Sequence, residues 1–103
     1  MAFKYKFTQK ASEDLDDVLN YISVNLCNHL AANDLFNHIF KTIDNIINFP
    51  LIYPIISNEF IRRKDVRKAI VDNYNLYYIV ENNIIYVLRI IYNKRGLTKI
   101  ISF

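Results

Sequence analysis

One cysteine, one glycine, two prolines and no tryptophan occur in the 103 residues of this chain. Cys27 therefore has no second cysteine to bond within the chain. Secreted domains of this size usually depend on disulfide staples, so the cytoplasm is the expected compartment. The opening run MAFKYKFTQKASEDLDD turns acidic where a signal peptide would be apolar. No run approaches the roughly 20 apolar residues that a membrane-spanning helix needs, so no membrane association is expected. The single glycine leaves no Gly-rich loop to cradle a nucleotide, and there is no internal repeat. His29 and His38 belong to no set with metal-ligand spacing, and no Ser-His-Asp order suggests acyl transfer. Neither a cofactor nor a metal is expected. Cys27 reads as a packing residue at a helix end.

What the chain has instead is apolar material, 52% of residues hydrophobic and 15% aromatic. Burial of that material can offset the entropy of ordering, so one folded domain over residues 1–103 is expected. Charge is distributed unevenly. Residues 1–60 hold four lysines against seven acids, a balance of −3, whereas residues 61–103 hold nine Lys or Arg against three acids, a balance of +6. A basic half on one small domain is the footprint of a surface for nucleic acid or an acidic partner, or of solvated surface only.

Phe3, Tyr5 and Phe7 alternate with Lys4 and Lys6, the period of a half-buried strand. Thr8 can cap a helix whose apolar residues recur at Ala11, Leu15, Val18, Leu19, Ile22 and Leu26. Glu13, Asp14, Asp16 and Asp17 fall in its early turns, where the helix dipole favours anions, and are expected on its exposed face. After a short connection at Asn28-His29, a second helical stripe runs from Leu35 to Ile47, closed by Phe49-Pro50. The two helices should form an antiparallel hairpin. Residues 51–60 contain Pro54, lack a period and read as a loop. Three strands follow, 66–71, 74–80 and 84–92, joined by the turn pairs Asp72-Asn73 and Asn82-Asn83. The expected fold is α+β in the order β-α-α-β-β-β. The helical hairpin covers one face of a mainly antiparallel sheet, and the first strand lies at an edge.

Three residues stand out as carriers of chemistry. Arg89 interrupts the apolar strand IIYVLRIIY. A charge there must be paired, with Asp72 or Glu81 as candidates, or emerge into a solvent-filled face toward a phosphate. Arg67 lies on a strand beside Lys68, and the two must face opposite sides. They belong to the cluster Arg62, Arg63, Lys64, Arg67 and Lys68, five cations in seven positions and a candidate phosphate or acidic-partner contact. Tyr92 ends the last strand beside Lys94 and Arg95, which makes it a candidate general acid or base, or an amphipathic packing residue.

The run KFTQKASEDLDDVLNYI, a second helix ending in INFP, Arg67, and the hairpin YNLYYIVENNIIYVLRIIYNKR together resemble the RelE/ParE superfamily of bacterial toxins, in order and in spacing. The resemblance spans about Phe3 to Arg95. It implies the toxin of a two-gene toxin–antitoxin module, of the kind tied to plasmid stabilization, with a cognate antitoxin as partner. RelE-like members cleave ribosome-bound mRNA without metal, using the RNA's own 2′-hydroxyl. ParE-like members poison DNA gyrase and need no nuclease chemistry. Carried over by position, Arg67 and Arg89 match phosphate-stabilising basic residues, and Tyr92 falls where many members have a histidine. Lys94 and Arg95 match the basic pair that follows. The expected mechanism is ribosome-dependent mRNA cleavage, with Arg67, Arg89 and Tyr92 as catalytic residues on one side of the sheet, and gyrase inhibition is the alternative. The gyrase reading rests on the long helical hairpin and the missing histidine.

Overall fold

The computed structural model of the chain describes residues 3–56 and 65–93. Strand β1 (Lys4–Phe7) leads into helix α1 (Gln9–Asn20), which continues through a single π-helical segment, Tyr21–Asn25. Helix α2 (His29–Asn48) is followed by β2 (Arg67–Val71), β3 (Tyr74–Glu81) and β4 (Ile84–Tyr92). The sheet order is β1-β4-β3-β2, with β1 parallel to β4 and the other pairs antiparallel. The expected element order, the edge position of the first strand and the helical hairpin over one face are all present.

Thr8 joins the first strand to the first helix. Its amide donates to the Val87 carbonyl and its hydroxyl to the Leu88 carbonyl, both at 3.0 Å. The same hydroxyl oxygen accepts from the Ala11 amide at 3.2 Å, capping α1. Asn28 caps α2 in the same way, accepting from the Ala31 amide at 3.0 Å. With Thr8 as the cap, the acidic residues 13–17 begin in the second turn rather than the first, so the dipole accounts for little of their placement. Cys27 is exposed with a φ of 49°, so it shapes the bend between the helices instead of packing at a helix end.

The sheet is apolar on both faces. On the helix side, Leu15, Leu35, Ile39, Ile43 and Ile46 pack on Ala69, Val71, Leu76, Tyr78, Ile85, Val87 and Ile90. On the opposite side, Val66, Tyr77, Ile79 and Leu88 form a second buried cluster. Among the described residues, that side thus carries an apolar patch of its own. The turn at Asn82-Asn83 has φ of 53° and 63°, the positive pair that a two-residue hairpin of matching twist requires and that asparagine tolerates.

Candidate functional site

A β-bulge in β4 decides where Arg89 goes. Tyr78 pairs with Val87, but Tyr77 pairs with Arg89, so Leu88 is the extra residue. Without it, strict alternation would carry Ile85 and Val87 on to Arg89 and place the guanidinium in the helix-side core. The bulge shifts the register by one, and Ile90 takes that core position opposite Leu76 instead.

Arg89 then closes on α1. Its Nε donates to Asp14 Oδ2 at 2.7 Å and its Nη2 to Asp14 Oδ1 at 3.0 Å, a two-pronged pair. The amide of Ile90 also donates to Asp14 Oδ2, at 3.0 Å. Strand β1 ends opposite Val87, so among the described residues β4 has no neighbouring strand beyond that point on this side. Asp14 thus neutralises a strand arginine and satisfies a backbone donor on an open sheet edge. The hydrogen bonds to Asp14 raise the Arg89 pKa further, against the opposing effect of burial. Asp14, expected on the exposed face of the first helix, is largely covered. It also replaces Asp72 and Glu81 as the partner proposed for Arg89. A sequence signal existed, because Ala11, Asp14, Leu15 and Val18 fall at i, i+3, i+4 and i+7, so Asp14 lies within the inward stripe.

Arg67 is engaged elsewhere. Its Nη1 donates to the Tyr53 carbonyl at 2.7 Å and more weakly to that of Leu51 at 3.4 Å. Opposite it on β3, the Tyr78 hydroxyl donates to the Pro50 carbonyl at 2.9 Å. Together they fasten the segment that follows α2, whose Ile55 makes a bridge with Arg67. Burial pushes the Tyr78 hydroxyl pKa upward, opposed by the nearby Arg67 charge. Lys68, half-buried and paired with Tyr77, takes the opposite side of β2 as alternation demands.

Arg67, Arg89 and Tyr92 are not gathered into one constellation. Arg67 aligns with Tyr78 and Tyr92 with Tyr74, four residues or ~13 Å apart along β3, with β3 itself between their strands. Arg89 and Tyr92 do share a site, a cleft of about 960 Å³ between the end of the helical hairpin and the end of the sheet. Asp14, Asp17, Val18, Tyr21, Ile22 and Leu26 contribute one wall, with the cap residue Asn28 and, from α2, Ala31 and Leu35. Asp72, Asn73, Tyr74 and Arg89–Tyr92 complete it. Tyr92 stacks in a tilted fashion on Tyr74 at 5.5 Å between ring centroids. Just beyond the lining residues, His38 Nδ1 lies 2.8 Å from Asp72 Oδ2, tying α2 to the β2–β3 turn. Arg62, Arg63, Lys64, Lys94 and Arg95 lie outside the described residues. Among the described residues there is no group of three His, Cys, Asp or Glu suited to a metal, and no helix is long and apolar enough to cross a membrane.

The fold and cleft can be set beside known proteins. A structure of the chromosomal ParDE toxin–antitoxin system from P. aeruginosa superposes with a TM-score of 0.70 at 21% identity, covering 87% of this chain and 95% of that one. The toxin–antitoxin complex RelBE2 from Mycobacterium tuberculosis gives 0.60 at 16% identity, covering 89% and 99%. YafQ from E. coli gives 0.54 at 16% identity, covering 90% and 96%. At these identities the likeness is one of fold. Comparison with curated proteins finds no match. The sequence over residues 5–96 matches the family model described as the ParE toxin of the type II toxin–antitoxin system parDE. With that match spanning nearly the whole chain, and a shared fold behind it, the chain belongs to the ParE toxin family of type II toxin–antitoxin systems.

Proposed function

We propose that this toxin arrests growth by engaging DNA gyrase, without cutting RNA, and is held inactive by a cognate antitoxin. The observation that carries the reading is the two-pronged Asp14–Arg89 pair. A phosphate-stabilising arginine must offer its N–H groups to the substrate, and Arg89 has Nε and Nη2 committed to a carboxylate. Recruiting it would require breaking two charge-assisted bonds and leaving Asp14 beside an incoming polyanion. Arg67 is likewise committed to carbonyl oxygens, and Tyr92 faces a neighbouring tyrosine. Membership in the ParE family points the same way.

The ribonuclease reading, with Arg67, Arg89 and Tyr92 as catalytic residues, retains one supporting observation: Arg89 and Tyr92 line the same cleft. Two assays separate the readings. The gyrase reading expects purified toxin to trap cleavage complexes or block supercoiling by purified gyrase, with translated messages intact by primer extension after induction. Unimpaired gyrase together with new cuts in messages at the ribosome would reverse the assignment.

A further inference from the structure

Residues 45–56 contain no Asp, Glu, Lys or Arg, and the part that follows α2 turns large apolar side chains outward. Phe49, Leu51, Ile52 and Ile55 are 64%, 67%, 58% and 49% exposed. Side chains of this size left in water forgo the burial that drives folding. The segment is nevertheless fastened, and by polar groups. The Pro50 carbonyl accepts from the Tyr78 hydroxyl, and those of Tyr53 and Leu51 accept from Arg67. The Pro54 carbonyl accepts from the Lys68 amide at 3.3 Å, and the Ile56 amide donates to the Val66 carbonyl at 2.9 Å. Tyr53 turns inward, edge-on to Tyr78 at 6.5 Å between ring centroids. A fixed backbone that holds bulky apolar side chains outward is a preorganised docking face, because its ordering precedes the arrival of a partner.

We propose that residues 49–55 are the face by which the toxin grips its protein target, with their apolar side chains seated in a pocket of that target. The inference rests on the gyrase reading and adds to it the surface that does the binding. A toxin that acts without cutting RNA must inhibit by staying bound, and an apolar face supplies affinity through burial. The side chains of this segment offer no cation to a phosphate backbone, so a nucleic acid gains little from them. Position separates the face from the cleft. Asn28 and Phe49 cap opposite ends of α2, a 20-residue helix of about 30 Å, and Asn28 lines the cleft. The face can therefore be altered without touching the cleft. The tip of the helical hairpin also exposes apolar residues, but Tyr21 and Leu26 there line the cleft and belong to it.

The test is supercoiling by purified gyrase in the presence of the full-length toxin, wild type or carrying Leu51→Asp or Ile52→Asp. Each variant should need about tenfold more toxin for the same inhibition, the loss typical of a central anchor. Leu30→Asp, a similarly exposed leucine at the start of α2, should inhibit as the wild type does. Melting temperatures should match, since the substituted side chains stand in water, and calorimetric affinity for the cognate antitoxin should be unchanged. If both variants inhibit as the wild type does, these residues do not hold gyrase, although the gyrase reading stands. If wild-type toxin leaves gyrase unimpaired, that reading fails and takes the proposal with it. Loss of antitoxin affinity with inhibition intact would give the face to the antitoxin and overturn the proposal. So would a wild-type toxin dimer that both variants dissociate with inhibition intact, which would give the face to a second copy of the chain.

Discussion

Asp14 and Arg89, 75 residues apart, meet through two hydrogen bonds of 2.7 and 3.0 Å at the open edge of β4. The contact explains how a strand with a cation in its middle can lie in a sheet that is apolar on both faces. Side-chain exposures of 16% for Asp14 and 23% for Arg89 put the pair between a surface bridge and a buried one. Removing one partner strands the other in poorly solvated surroundings.

Asp14→Ala should therefore destabilise the fold by about 2–3 kcal/mol, more than a surface bridge contributes. Part of that loss is the orphaned Ile90 amide, at about 1 kcal/mol. Urea midpoints of Asp14→Ala, Arg89→Ala and the double variant form a cycle whose coupling should exceed 1 kcal/mol. A coupling near zero would mean that the pair is incidental to stability.

Arg67→Ala should release the segment after α2. A charged donor on two carbonyls suggests a cost of about 1.5–3 kcal/mol. Limited proteolysis should show new cleavage within residues 49–56. Lysine at this position should restore only part of the loss, because one ammonium cannot reproduce the guanidinium geometry. Unchanged protease resistance in Arg67→Ala would instead leave the arginine free for a target.

Tyr78 makes stability sensitive to alkali. Its folded pKa is raised above the ordinary value of 10.0 by burial. The unfolded chain therefore loses this proton first as pH rises. The contribution is complete below about pH 10 and is lost as pH climbs through the higher folded value. Tyr78→Phe should flatten that alkaline loss in thermal melts. At neutral pH it should cost about 1 kcal/mol for the missing bond to the Pro50 carbonyl.

Tyr92→Phe distinguishes the two target readings at the level of one atom. If gyrase is the target, removal of the hydroxyl should leave growth arrest within about twofold of the wild type, since the ring contact with Tyr74 survives. General acid–base catalysis typically supplies about 10²–10⁴ in rate, so a ribonuclease dependent on that hydroxyl would lose most of its toxicity. Induction of each variant from a titratable promoter, scored by colony count, reads the difference.

Local sequence was sufficient for the four strands and the two α-helices, though not for the π-helical segment at Tyr21–Asn25. Alternation at Phe3, Tyr5 and Phe7, the helical stripe from Leu35 to Ile47, and the asparagine pair at 82 and 83 each encode their structure within a few residues. These patterns also fix which face of each helix turns inward, since periodicity and burial are two aspects of one constraint. They carried the fold and the family resemblance. They could not specify the site. The bulge at Leu88 depends on how β4 registers against β3, and the partner of Arg89 depends on α1 lying against β4. Arg67 reads from sequence as a free strand cation, yet it is spent on carbonyls 14 and 16 residues away. Long-range pairing of charge is decided by strand register and helix crossing, which no local period encodes. The sequence by itself therefore determined the elements and their order, and tertiary packing alone decided which charges were left to meet a partner.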